Sequence, residues 1–345
     1  MFQPLVSILR RPAILRPEAI RSALAGLVVS ALTFALCGLG FETGMRILER
    51  GSIPFYEAHP TLGFVQKRSF DGHHFFGERV SINSKRLRDL ERTYARPRHV
   101  ERRVLVLGDS HAWGTGVQRE ETLAAQMETR LEGTEVINAA VSAYDTYQQY
   151  VYLRDEGLRY SPDVIVLAFC DNDLDGVRDS DSLRTQFNPS TFGPLVWLRD
   201  NSYAYGWAKN HFEAVRSRFD AERRLGQAST EADREQAWVV FEDLLGRIQT
   251  LAEANGAKLV VGPIPSRGTV EAGAGRTQYA RLAKLTERLG ATYVDTVTPF
   301  MTDASDGATY YLDGDHHIDN EGHAKYAEVV AETLRVPSAE LAVAR

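Results

Sequence analysis

The stretch that decides the fold is "RVLVLGDSHAWG", residues 103–114. A short apolar run with no polar alternation is what a strand buried on both faces requires. Here it stops abruptly at Gly108-Asp109-Ser110, a turn that can start a helix. Four further runs share this character: "EVINAA" (135–140), "DVIVLAF" (163–169), "AKLVVGPI" (257–264) and "ATYVDT" (291–296). Helical periodicity fills the gaps. Residues 146–156 form one such stretch; another, 231–254, sets Trp238, Phe241, Leu245, Ile248 and Ala252 on one face and ends at Asn255-Gly256. A further helix ends at Gly290, and the last covers about 320–334. Strands alternating with helices predict an α/β fold of three layers, a parallel sheet covered on both sides.

Ligands of open parallel sheets bind beyond the carboxyl ends of the strands. Those ends read "LGDSHAWG", "NAAVSAYDT" and "FCDNDL", and "DGDHHID" leads into the last helix. All four are expected at one edge. A serine hydroxyl is a weak nucleophile until a base takes its proton, and a histidine held by a carboxylate is the usual base. Ser110 is the candidate nucleophile. The N–H groups of Ser110 and Ala143 and the amide of Asn172 are candidate oxyanion donors. For the base, two spacings compete in "YYLDGDHHIDNEGH" (310–323): Asp313 with His316, or Asp315 with His317. On spacing alone both pairs stay open. His323 falls inside the final helix, as a packing or capping residue, and His111 reads as a structural or substrate-contacting neighbour of the serine.

These four blocks together resemble the SGNH (GDSL-type) hydrolase family over roughly residues 101–337. "GDSHAWG" is similar to the first block, "NAAVSA" to the second, "CDNDL" to the third and "DHHIDNEGH" to the last. The resemblance implies a flavodoxin-like fold. It also implies ester chemistry without metal or cofactor: Ser110 attacks, His317 moves the proton, Asp315 orients His317, and Ser110, Ala143 and Asn172 hold the oxyanion. Two departures stand out. Ala143 occupies a position where glycine is usual, and Asp171 precedes Asn172, where its charge would oppose an oxyanion if it pointed inward.

Outside this region the chain is organised in pieces. Residues 22–41, "SALAGLVVSALTFALCGLGF", carry no charge and are about as long as a bilayer-crossing helix. Arg10, Arg11, Arg16 and Arg21 precede them, so the positive-inside bias predicts a single-pass anchor. Residues 1–21 would then be cytoplasmic and the catalytic domain periplasmic or extracellular. A cleaved signal peptide is the rival, disfavoured by the length of the run. Residues 42–101 read as a stalk and N-terminal extension, with "GERVSINS" as the one clear strand, 102–337 as the hydrolase-type domain and 338–345 as a tail. Within that domain, 174–237 is a long insertion, a candidate lid or substrate wall spotted with Trp197, Tyr203, Tyr205 and Trp207. A net charge of −6 and the lack of any Lys/Arg-rich block argue against a nucleic-acid partner. Two cysteines, Cys37 and Cys170, make no disulfide framework.

The resulting expectation is a membrane-anchored serine esterase acting on acyl, most simply acetyl, esters of envelope or exported carbohydrate. An O-acetyltransferase would share every one of these residues. A non-catalytic glycan-binding or scaffold module of the same fold is the reading that Ala143 and Asp171 favour.

Overall fold

The computed structural model describes residues 17–48, 55–73, 77–174, 197–198, 201–209, 211–212, 231–273 and 275–335. It divides into two compact units, residues 1–50 and 51–345. Among the described residues the first holds one helix, α1 (Pro17–Ile47), longer at both ends than the charge-free run. Its segment Arg21–Ile47 is apolar and long enough to cross a membrane, and none of its most apolar 18-residue stretch is buried in protein. A membrane anchor and a signal sequence both meet that description.

The second unit begins with two hairpins, β1 (Tyr56–His59) with β2 (Gly63–Gln66) and β3 (Phe70–His73) with β4 (Arg79–Ile82). Three of these strands go beyond the single one expected. Each is only 4 residues long, too short to establish a period of two in the sequence. The body of the unit is a sheet of five parallel strands: β5 (Arg102–Gly108), β6 (Thr134–Asn138), β7 (Val164–Phe169), β8 (Lys258–Pro263) and β9 (Thr292–Tyr293), in the order β6-β5-β7-β8-β9. That is the flavodoxin-like 2-1-3-4-5 order, in which the chain reverses direction across the sheet beside β5.

Alternation along the strands builds the layers. Val104, Val106, Val166, Ala168 and Val260 face one cluster, and Leu105, Leu107, Ile165, Leu167, Leu259 and Val261 face the other. The helices divide accordingly. On the first side lie α3 (Leu123–Arg130), through Leu123 and Met127, and α9 (Asn320–Arg335), through Tyr326, Ala327 and Val330. On the second lie α4 (Thr146–Asp155), α5 (Glu231–Ala254) and α7 (Arg276–Arg288), through Val151, Trp238, Phe241, Leu245 and Leu282. Shorter helices follow three of the strands: α2 (Ser110–Trp113) after β5, α6 (Arg267–Ala272) after β8 and α8 (Val297–Ser305) after β9. One strand departs from expectation. β9, at one edge of the sheet, is half-buried and only two residues long, shorter than the apolar run that marks it.

The hairpin region is bound into this unit. Arg88, 1% exposed, donates to the carbonyls of Trp113, Gly114 and Val117 and lies over the Trp113 ring, while Gln66 accepts from the Trp113 indole N–H and Glu78 from the Gly116 N–H. Below it, Arg92 bridges Asp89, Glu128 and Glu135, and Arg103 pairs with Glu135. Buried charges persist only when paired in this way. Most of the insertion expected to form a lid lies outside the described residues. Of its aromatics, Trp197 is exposed on a short helical segment.

Candidate active site

Ser110 stands at the first position of α2, directly beyond the end of β5. The turn is tight. A Cβ on Gly108 would come within 2.6 Å of the Ala112 Cβ, so only glycine lets the strand run into the helix there. Asp109, 1% exposed, caps the turn by accepting from the His111 N–H. Its other carboxylate oxygen accepts from the Asn172 side-chain amide at 2.7 Å, joining the ends of β5 and β7, which are neighbours in the sheet. The Asn172 amide therefore keeps one N–H for another acceptor.

Behind Asn172, Asp173 is buried and braces the loop, accepting from the Cys170 backbone N–H and from the Gln149 side chain. Burial drives its carboxyl well above the usual range. Cys170 is likewise buried beside these carboxylates, and desolvation pushes its thiol far up, so it is held as the protonated form. Asp171 neither enters the cleft freely nor stands free in water. Its carboxylate accepts from the Tyr279 phenol at 2.7 Å. Ala143 is exposed, with φ 67°, the left-handed conformation that costs a Cβ-bearing residue roughly 1 kcal/mol and explains why glycine suits this place.

The loop before α9 supplies the remaining groups. His317 Nε2 lies 2.8 Å from Ser110 Oγ, and His317 Nδ1 lies 2.5 Å from Asp315 Oδ1. Asp315 Oδ1 also accepts the His317 backbone N–H, and Arg267 donates to the carbonyls of Asp315 and Leu312. The sequence offered no sign of this arginine, because its contact joins residues 48 apart in the chain. Asp313 is exposed, and His316 stands outside the line, its side chain 69% exposed and its Nδ1 3.7 Å from Asp315. The structure thus brings together Ser110, His317 and Asp315, and not Asp313 and His316. Gly322 permits this approach, since a Cβ there would lie 2.6 Å from the Tyr310 carbonyl oxygen.

The electrostatics favour a neutral imidazole. Desolvation, and then the neighbouring His316, lower the pKa of His317, against the opposing pull of Asp315. Partial burial would raise the Asp315 carboxyl, but the hydrogen bonds from the His317 backbone and ring outweigh it and leave it below its ordinary value. His111 packs its ring 4.7 Å from that of His317, and burial lowers its pKa to about 4. His323 is fully buried in α9, where its Nδ1 accepts the Leu123 N–H at the start of α3, and burial lowers it to about 3. It is a capping residue, for a different helix than its own. Among the described residues, two groupings bring potential metal-ligand atoms within 4.8 Å of one another: His111, His316 and His317, and Asp109, His111 and Cys170.

The sheet order and the four blocks fit the family that the sequence resembles, one of ester-bond hydrolases. The profile of the GDSL-like lipase/acylhydrolase family matches residues 106–325, well over half of the sequence, and the chain belongs to that family. Among solved structures it is similar to the acetylxylan esterase Axe2 of Geobacillus stearothermophilus, in a catalytic mutant, at 13% identity and TM-score 0.43, over 68% of this chain and 94% of that one. TesA is similar at 16% identity and TM-score 0.41, over 68% and 98%. A GDSL-like lipase of Bacteroides thetaiotaomicron is similar at 15% identity and TM-score 0.40, over 70% and 91%. No curated protein matches the chain.

Proposed function

We propose that the protein is a membrane-anchored serine esterase that removes acetyl groups from envelope or exported carbohydrate. The observation that carries the chemistry is the line from Ser110 Oγ through His317 Nε2 and Nδ1 to Asp315 Oδ1, at 2.8 and 2.5 Å. In this reading the Ser110 hydroxyl attacks the acyl carbonyl as its proton passes to His317. Asp315 holds the Nδ1–H tautomer and offsets the charge of the imidazolium. The carbonyl oxygen becomes an oxyanion, facing the backbone N–H groups of Ser110 and Ala143 and the free N–H of Asn172. His317 then gives its proton to the departing sugar oxygen, and water hydrolyses the acyl-enzyme by the same steps in reverse roles. A negative Asp171 near this space would raise the barrier; its hydrogen bond from Tyr279 holds the carboxylate away from that role.

The pH dependence follows from the base. His317 must be neutral to accept the serine proton, and its pKa lies below the ordinary histidine value of about 6.5. The kcat/KM for a small acetyl ester should therefore fall as pH drops through that lowered pKa and stay level through neutrality. A limb centred above pH 7 would contradict an unprotonated, desolvated base.

The carbohydrate substrate rests on location: an apolar N-terminal helix flanked by arginines fits an anchor with the catalytic unit outside the cytoplasm. A reporter that works only outside the cytoplasm, fused after Arg345, should be active, and the native N-terminus should be intact. A mature N-terminus near residue 41 would replace the anchor by a signal peptide while leaving export in place.

A further inference from the structure

His316 and His111 have no part in the proton path, yet both pack against the histidine that does. The ring centroids of His316 and His317 are 4.2 Å apart, those of His111 and His317 4.7 Å, and those of His111 and His316 5.6 Å. Potential ligand nitrogens of all three lie within 4.8 Å of one another. Three donors on a tetrahedral zinc ion at about 2.0–2.1 Å would sit roughly 3.3 Å apart. The contraction needed is small, and the exposed His316 has the freedom to supply much of it by rotating its side chain.

Two further observations point to a ligand. His111 is 4% exposed, and its Nδ1 is buried with no hydrogen-bond partner among the described residues. A buried ring nitrogen left unpaired is costly and signals a missing partner. The second concerns His317. Its Nδ1 is engaged by Asp315, so Nε2, which faces Ser110 Oγ, is the nitrogen that a metal could take. A carboxylate behind a histidine is also the arrangement that orients histidines on zinc. The alternative grouping of Asp109, His111 and Cys170 is less suited, since Asp109 already accepts two hydrogen bonds and the Cys170 thiol is held protonated.

We propose that His111, His316 and His317 form a regulatory site for a borderline transition-metal dication, with Zn2+ as the representative ion, and that its occupancy switches off the esterase. Imidazole donors suit zinc, copper and nickel and discriminate against magnesium and calcium. On binding, the three neutral rings donate lone pairs and water takes the fourth position. His317 Nε2 moves from the Ser110 hydroxyl to the metal, the serine keeps its proton, and Nδ1–H stays on Asp315. No bond to substrate is made and nothing is oxidised or reduced. The base is simply withdrawn. The inhibition rests on the serine-esterase reading; the metal site itself does not.

Zinc binding by untagged full-length protein in detergent, measured by competition with a chromophoric chelator, separates the two. One Zn2+ per chain is expected, with hydrolysis of an activated acetyl ester falling in step with occupancy, restored by EDTA and indifferent to Mg2+. His316→Ala, at an exposed position that does not endanger folding, should weaken binding at least about tenfold, as loss of even a supporting group does at metal sites. It should shift inhibition, relative to its own metal-free rate, by the same factor. His111→Gln should weaken binding likewise, its fold checked by thermal melting. Ser110→Ala should bind zinc undiminished. Absence of stoichiometric binding, or His316→Ala binding as tightly as the parent, overturns the site. Binding at these histidines without loss of turnover overturns the regulation. A protein that binds zinc here but hydrolyses no ester overturns the enzymatic reading and leaves the site standing.

Discussion

Replacing Ser110 by alanine is expected to reduce hydrolysis of small activated acetyl esters by about four to six orders of magnitude, the range seen when a triad nucleophile is removed. Each tenfold is about 1.4 kcal/mol of transition-state stabilisation, so the loss corresponds to roughly 5–8 kcal/mol. The size follows from what the hydroxyl does. It alone forms the acyl bond, and without it only the oxyanion donors and substrate binding remain to help a water molecule. Ser110 is partly exposed at the end of β5, and its side chain makes the His317 contact. Alanine at the first position of α2 should therefore fold as the parent does. Steady-state kinetics with full-length protein in detergent, beside a thermal melt, measures both. Equal turnover by mutant and parent would remove Ser110 from the chemistry.

The paired histidines should separate just as sharply. His317→Ala should come within about tenfold of the Ser110→Ala loss, because nucleophile and base act as one unit and their removal is far from additive. His316→Ala should keep most of the activity. Its ring is exposed and its Nδ1 is 3.7 Å from Asp315, beyond a hydrogen bond. A second, finer effect accompanies it. Since His316 helps lower the pKa of His317, its removal should move the acidic limb of the pH profile upward. Asp315→Asn should fall between the two histidine variants, nearer to His317→Ala. An amide oxygen toward Nδ1 keeps the geometry but loses the charge that offsets the imidazolium. An amide nitrogen there would force the proton onto Nε2, which removes the lone pair that the serine needs. The opposite ranking of His316 and His317 would contradict the observed line.

What the sequence made legible was set by where the signal lies. β7 is apolar from end to end, and β5 and β8 are apolar once past Arg102-Arg103 and Lys258, because both faces are buried, and that pattern needs no partner to be seen. The turn after β5 and the loop before α9 are likewise marked by their own residues, so Ser110, Asp315 and His317 could be set at one edge before any coordinates. Other contacts arise only from strand order. Asp109 reaches Asn172 because β5 and β7 are hydrogen-bonded neighbours, and Arg267 reaches the Asp315 carbonyl across loops far apart in the chain. α3 was missed because "LAAQMETR" buries only Leu123, Ala124 and Met127 and owes its start to Thr122 and to His323 of a distant helix. Ala143 is a different case. The alanine was visible as a departure, but its left-handed backbone was not, and that conformation explains the preference for glycine.

Labelling with a fluorophosphonate probe, followed by peptide mapping, tests the proposed catalytic line most directly, since it needs an activated serine and no knowledge of the substrate. Full-length protein should carry one covalent adduct, on Ser110, formed at a rate that falls as pH drops through the lowered pKa of His317. The adduct should vanish in Ser110→Ala and nearly vanish in His317→Ala, while His316→Ala labels readily. An unlabelled parent, an adduct on another serine, or labelling that is indifferent to His317 would contradict the assignment of Ser110 and His317 as nucleophile and base.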